Sequence, residues 1–160
     1  MEVSRETAFS QEELIERYFP ARQSEIKKYA EFLVGPGIER GLIGPREGER
    51  IWERHIFNCI PVSTLIPEGS LLFDIGSGAG LPGLVIALAR PDLKITLIEP
   101  LQRRVDFLEE AVALLNIENV AVIRGKSENV KIPFEGVCEK VCSKFLCKNF
   151  AICLLLLVDR

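Results

Sequence analysis

The chain has 160 residues, 48% of them hydrophobic, and a formal net charge of −3. That length allows one domain with a real core and at most a small appendage. The charge balance excludes a broadly basic nucleic-acid binder, so any nucleic-acid contact must come from a local patch.

The opening Met1-Glu2-Val3-Ser4-Arg5-Glu6 is polar and acidic, and no signal peptide is expected there. Leu14 and Tyr18 predict a helix over 11–18; Ile26, Tyr29, Phe32 and Leu33 predict a second over 23–33. Gly35-Pro36-Gly37 and Gly41-Leu42-Ile43-Gly44-Pro45 read as breaks. A third helix is expected from Glu47 to Val62, with Ile51, Trp52, Ile56, Phe57 and Ile60 on one stripe. Pro67-Glu68-Gly69-Ser70 then turns the chain into a first strand. From there strand and helix alternate: strand 71–75, helix 81–89, strand 94–99, helix 101–115 and strand 120–124. A fourth strand is expected over 136–142 and an apolar helix over 150–158. This alternation implies an α/β fold with a parallel sheet and right-handed crossovers.

The run Leu71-Leu72-Phe73-Asp74-Ile75-Gly76-Ser77-Gly78-Ala79-Gly80-Leu81-Pro82-Gly83 carries the functional signal. A strand leads into a turn too tight for side chains, and a helix then begins with its N–H groups aimed at a ligand. The spacing is G-x-G-x-G, with Leu81 where a dinucleotide site would have its third glycine. A ligand without phosphates fits better. S-adenosylmethionine is such a ligand, and its ribose diol needs an acid like Glu99 at the end of the second strand. The alternative is a glycine-rich turn in an unrelated α/β protein.

Other chemistry finds little support. Of five cysteines, Cys138, Cys142, Cys147 and Cys153 crowd the last part of the chain, no C-x-x-C pair exists and His55 is the single histidine. Zinc is therefore not expected, and reduced, mostly buried thiols in a cytoplasm are the plain reading. No catalytic side chain is assigned. Arg40, Arg46, Arg50 and Arg54, then Arg103-Arg104, then Arg124 and Lys126 are the local basic groups. Acids such as Glu39, Glu47, Glu49 and Glu53 interrupt them, so an RNA face and a solvated helix face are both open readings. His55, with Arg54 and Asn58, is either a packed or capping group or a contact to substrate.

From about Glu31 onward the chain resembles the bacterial 16S rRNA guanine-N7 methyltransferases, the glucose-inhibited division protein B family. The resemblance rests on Gly35-Pro36-Gly37-Ile38-Glu39-Arg40-Gly41-Leu42-Ile43-Gly44-Pro45-Arg46-Glu47, on Trp52-Glu53-Arg54-His55-Ile56-Phe57-Asn58-Cys59 and on Asp74 to Gly83. Arg90-Pro91-Asp92 and Leu97-Ile98-Glu99-Pro100-Leu101-Gln102-Arg103-Arg104-Val105-Asp106-Phe107-Leu108 extend it. It implies a Rossmann-like S-adenosylmethionine-dependent methyltransferase fold. An N-terminal helical segment (1–66) would pack on a cofactor-binding domain (67–160).

The same resemblance implies that Gly76 and Leu81 touch S-adenosylmethionine and that Gly78 and Gly80 let the backbone approach it. Glu99 would take the ribose hydroxyls, and Ser127-Glu128 would sit beside the adenine. Family members carry an arginine at the end of strand four. A register through Phe134-Glu135-Gly136-Val137 puts Lys140 there, and a second through Val141-Cys142-Ser143 puts Lys144 there. The first register is preferred. An earlier family arginine is Lys126 here; lysine keeps the charge and loses the planar fork. Arg54, His55, Asn58 and Lys126 are the candidate substrate contacts.

The substrate implied is 16S rRNA or the small ribosomal subunit, met by a cytoplasmic monomer with no membrane or metal partner. The family's proteins are longer, so the C-terminal part of the sheet is expected to be missing. That would leave strand four as an open edge and its helix half uncovered. The alternatives are a naturally complete four-stranded domain, a non-catalytic relative, and a methyltransferase acting on a small molecule or protein.

Overall fold

The computed structural model describes residues 9–126, 145–147 and 150–157, the last two stretches as backbone only. Helix α1 (Gln11–Tyr18) starts where Ser10 and Glu13 cap each other: the Ser10 N–H donates to Glu13 Oε2 at 2.7 Å, and the Glu13 N–H donates to Ser10 Oγ at 3.3 Å. This reciprocal pairing satisfies two helix-end donors at once. Helix α2 (Gln23–Phe32) buries Ile26, Tyr29 and Ala30.

The expected break at Gly35-Pro36-Gly37 does not occur. The chain stays helical through a π-turn, Leu33–Gly37, with Pro36 inside it. Proline brings no N–H to a ladder, and the wider turn absorbs the residue that would otherwise kink the helix. The Gly37 carbonyl then accepts from the N–H groups of both Leu42 (2.8 Å) and Ile43 (3.1 Å), which folds that loop back.

The helix expected over Glu47 to Val62 is a broken series rather than one helix. A 3-10 turn (Gly48–Arg50), a π-turn (Trp52–Ile56) and a second 3-10 turn (Phe57–Cys59) lead into the short helix α3 (Ile60–Ser63). The predicted stripe still faces inward: Ile51, Ile56 and Ile60 are buried. Burial of that stripe sets the path, while hydrogen bonding adjusts around it.

Strands β1 (Leu71–Ile75), β2 (Lys94–Glu99) and β3 (Val120–Arg124) pair in parallel at their predicted positions. Helix α4 (Gly83–Ala89) connects the first two strands, and α5 (Gln102–Leu115) connects β2 to β3. Leu72 and Asp74 of β1 are buried with Ile95, Leu97 and Glu99 of β2, the alternate positions that a pleated strand turns to one side. On β3 the intervening Ala121 and Ile123 are exposed. Helix α4 is buried from Gly83 to Leu88 because it touches α2 and α3 as well as β2. One hydrophobic cluster runs from Ile15 and Phe19 through Leu84 and Leu97 to Ile117. The rings of Phe32 and Phe107 stack at 4.6 Å, joining α2 to α5.

Beyond β3 the structure departs from expectation. The stretch read as an apolar helix is strand β5 (Phe150–Leu157), antiparallel to β1, with Leu72 opposite Leu156 and Asp74 opposite Leu154. Strand β4 (Phe145–Cys147) pairs antiparallel with β5, giving a five-stranded sheet in the order β3-β2-β1-β5-β4. A continuous apolar run of this length carries no period that separates strand from helix. The free edge of β1 decides it, because its backbone groups need partners and β5 supplies them. The expected fourth strand over 136–142 lies outside the described residues. The whole is α/β, with the 3-2-1 parallel strand order of a Rossmann-like half.

Candidate functional site

The carboxyl ends of β1 and β2 meet at the glycine turn. The Gly76 N–H donates to the Ile98 carbonyl at 2.8 Å and the Ser77 N–H donates to the same oxygen at 3.3 Å, so the turn is tied to β2 one residue before Glu99. Gly76, Gly78 and Gly80 hold φ values of 79°, 56° and 92°, in the left-handed region that favours glycine. Inside the turn, Ser77 Oγ donates to the Asp74 carbonyl at 2.8 Å.

Glu99 is joined to this turn directly. Its Oε2 accepts the Gly78 N–H at 3.0 Å, and its Oε1 accepts the Leu101 N–H at 3.1 Å. The side chain is only 1% exposed. Two backbone donors thus fix the carboxylate at the strand end, where its remaining lone pairs are the acceptors the site can offer. Arg104, in the first turn of α5, brings Nη1 to 3.6 Å from Glu99 Oε2.

Asp74 forms the floor of the turn. It is 2% exposed, and its Oδ2 accepts the Gly83 N–H at 3.0 Å. Burial drives its carboxyl up to about 7, helped by the nearby Glu99 charge and opposed by the Gly83 and Ser77 hydrogen bonds. A Cβ on Gly83 would collide with the Leu97 side chain and with Asp74 Oδ2, so this glycine is required by space rather than by backbone angle. Tyr29, fully buried, donates its hydroxyl to the Ala79 carbonyl at 2.8 Å, and burial holds the phenol neutral. The N-terminal helices therefore brace the turn from behind.

A cleft of about 180 Å³ opens on the turn, lined by Leu42, Ile43, Asp74, Gly76, Gly78, Leu81 and Arg104 among others. A Cβ on Gly76 would meet nothing within 4 Å, so the space above it is open. Gly80 points elsewhere: a Cβ there would meet Leu84 and the Tyr29 hydroxyl. The donor set suits an adenosine-bearing ligand. It has a bare turn for close approach, the Glu99 carboxylate held behind that turn by the Gly78 N–H, and at Arg104 a buried Nε with no hydrogen-bond acceptor among the described residues.

Arg54, His55 and Asn58 form a second group. Glu47 bridges the first two: Arg54 Nη1 donates to its Oε1 at 2.8 Å, and His55 Nε2 lies 2.9 Å from its Oε2. These partners hold the Glu47 carboxyl below the usual range, the His55 hydrogen bond most of all. An ionised Glu47 accepts, so His55 carries its proton on Nε2. Asn58 Nδ2 donates to the Arg54 carbonyl at 2.9 Å, and the buried Cys59 thiol donates to the His55 carbonyl at 2.9 Å. None of the three lines the turn's cleft. Lys126 is exposed just after β3. Ser127, Glu128, Lys140 and Lys144 lie outside the described residues.

The sequence points to Gly76, Gly78, Gly80, Leu81 and Glu99, counts Arg104 only among the local basic groups, and gives no site role to Asp74, Tyr29 or Glu47. Arg104 had a signal, its place in the first turn after the strand-ending acid, which the search for a basic patch concealed. Arg40 is committed to Glu110 through two contacts of 3.0 and 2.7 Å, so part of that patch is an ion pair. Among the described residues no group of histidine, cysteine and acid side chains could hold a metal ion, and no helix is long and apolar enough to cross a membrane.

Comparison with known proteins identifies the lineage. The GidB family model, described as rRNA small subunit methyltransferase G, matches residues 22–157. Proteins named ribosomal RNA small subunit methyltransferase G are similar at 56% identity over 117 residues in Streptomyces avermitilis and 58% over 104 in Thermobifida fusca. The Salinispora tropica protein of that name is 57% identical over 120 residues. These matches cover 72%, 65% and 74% of this chain but 49%, 44% and 50% of the relatives. The chain thus spans about half the length of the curated relatives it matches. A crystal structure of wild-type Trm5b from Pyrococcus abyssi overlaps 56% of the chain and 24% of that protein at 21% identity, with a TM-score of 0.43. On the match over residues 22–157, the chain belongs to the rRNA small subunit methyltransferase G family.

Proposed function

We propose that the protein, in the full length its family implies, methylates N7 of a guanine in 16S rRNA with S-adenosylmethionine as the methyl donor. One observation carries the cofactor half of this reading: the acid that ends β2 is locked to the glycine turn by the Gly78 N–H at 3.0 Å. Family membership carries the substrate half.

S-adenosylmethionine brings a methyl group already activated by its sulfonium. Glu99 accepts the ribose hydroxyls, Gly76 and Gly78 leave room for the backbone to approach, and Leu81 packs against the ligand. Gly80 keeps the turn closed against Tyr29 and Leu84. Leu42 and Ile43 wall the opposite rim, so residues 1–66 frame a site whose floor belongs to 67–160. Ser127 and Glu128 serve the adenine, and Lys140, in preference to Lys144, stands for the family arginine. Arg54, Asn58 and Lys126 meet the RNA; His55, also named from sequence, is buried and paired with Glu47, and so serves by holding the carboxylate that fixes Arg54. The protein works as a monomer in the cytoplasm, on naked 16S rRNA or on the small subunit.

The chemistry explains why no acid–base pair is assigned. Guanine N7 carries an unshared lone pair in the neutral base, so no proton has to be removed. The protein's task is alignment of nucleophile and methyl, and well-oriented pairs gain about 7–11 kcal/mol in this way. A methyltransferase for small molecules or proteins would use the same turn, so the test must read the product.

N7-methylated guanine is charged and open to strand cleavage after reduction and aniline treatment. Cells lacking the gene are expected to lose one such cleavage in small-subunit rRNA, and the full-length gene to restore it. An unchanged cleavage pattern in the deletion strain would remove the rRNA reading.

A further inference from the structure

We propose that Arg104 is a ligand-contacting residue of the cleft, its Nε donating to a ribose hydroxyl whose own proton goes to Glu99. The proposal rests on the cofactor reading above and adds a residue to it.

Arg104 lines the cleft together with Ile43, Gly78 and Leu81. Its Nη1 stands 3.6 Å from Glu99 Oε2, too far for a good hydrogen bond. Its Nε is buried and finds no acceptor among the described residues. A buried N–H left unpaired is costly, and native structures seldom tolerate one without a reason. Other arginines of the fold have short carboxylate contacts: Arg40 with Glu110, Arg54 with Glu47, Arg90 with Asp92.

With Nη1 of the same guanidinium 3.6 Å from Glu99 Oε2, an acceptor reached by Arg104 lies close to a carboxylate that can only accept. A ligand oxygen that both donates and accepts satisfies both groups, and a hydroxyl is such an oxygen. A phosphate would suit Arg104 but meet the Glu99 charge, while an amine would suit Glu99 and leave Nε unpaired. A ribose diol fits both at once. Backbone N–H groups hold Glu99 from the other side, at Gly78 and Leu101, and these stay fixed. The Arg104 side chain is 36% exposed, so it is the group that gives way when a hydroxyl enters.

The test is calorimetry with S-adenosylhomocysteine and with its 2′-deoxy and 3′-deoxy forms. It uses the unaltered protein, Arg104→Met and Arg104→Lys. Loss of a charged hydrogen bond predicts that Arg104→Met weakens S-adenosylhomocysteine by about 10- to 100-fold. The penalty should shrink for at least one deoxy ligand, because the partner is already gone. Arg104→Lys should recover only part of the loss, since it keeps the charge without the Nε donor. Because the ligands are compared within one variant, a mild effect on folding does not mimic the result. Equal affinities for Arg104→Met and the unaltered protein would overturn the proposal, as would an identical penalty with all three ligands. If the unaltered protein binds none of them, the cofactor reading falls as well; if it binds and Arg104→Met binds equally, only the Arg104 assignment falls.

Discussion

Asp74 shows how one residue couples the turn to the solution. Its carboxyl rises from the ordinary 3.8 to about 7, mainly because burial penalises the charged form. The folded state therefore holds a proton that the unfolded chain releases, and the stability this contributes is complete below pH 3.8. It is lost as pH rises through about 7. Asp74→Asn keeps an acceptor for the Gly83 N–H and cannot titrate, so its stability should vary less across that window. The difference in slope should reach at most about 1.4 kcal/mol per pH unit. Urea unfolding at several pH values measures it, and parallel profiles for the two proteins would show that Asp74 does not titrate there. At this scale Glu99 was legible because a lone acid ending a strand beside a glycine turn has few other uses. Asp74 was visible in the motif without its role, since burial depends on what packs over it. Arg104 was hidden because a charged residue on a helix looks solvated until its Nε is found buried.

At the level of elements, the start of α4 is set by close approach. Gly83 sits where a Cβ would strike Leu97 and Asp74, whereas a Cβ on Gly35 would meet nothing within 4 Å. Gly83→Ala should lower stability by about 1–3 kcal/mol through overpacking. Gly35→Ala should stay within about 0.5 kcal/mol of the parent. Denaturation midpoints compare them, and equal costs would mean that the β1–α4 junction relaxes freely. Two apolar runs show why elements were only partly legible. Gly-Leu-Val-Ile-Ala-Leu-Ala over 83–89 is the helix α4, and Phe-Ala-Ile-Cys-Leu-Leu-Leu-Leu over 150–157 is the strand β5. Neither shows a period, because each is apolar throughout. The glycine turn announces the first as a crossover helix. The second is settled by the open edge of β1, which no local pattern reveals. Strands β1, β2 and β3 were readable because turns bound each one and each alternation is short. The π-turn through Pro36 was not, since proline and glycine signal a break and only tertiary contacts show that helical geometry continues.

Across the whole molecule, the cleft is assembled from distant parts of the chain. Leu42 and Ile43 come from the loop after the N-terminal helices, Gly76 to Leu81 from the turn, and Arg104 from α5. The Tyr29 hydroxyl of α2, 2.8 Å from the Ala79 carbonyl, ties the N-terminal helices to the turn. One core spans them, so the turn's geometry depends on helices that precede it by tens of residues. This organisation makes Glu99 and the glycine turn the centre of the account. Calorimetric titration of S-adenosylmethionine into the protein and into Glu99→Ala tests it most directly. The unaltered protein should bind S-adenosylmethionine in preference to NAD, and Glu99→Ala should lose about 1.5–3 kcal/mol for each charge-assisted hydrogen bond removed. Equal affinities for the two proteins, or tighter binding of NAD than of S-adenosylmethionine, would contradict it.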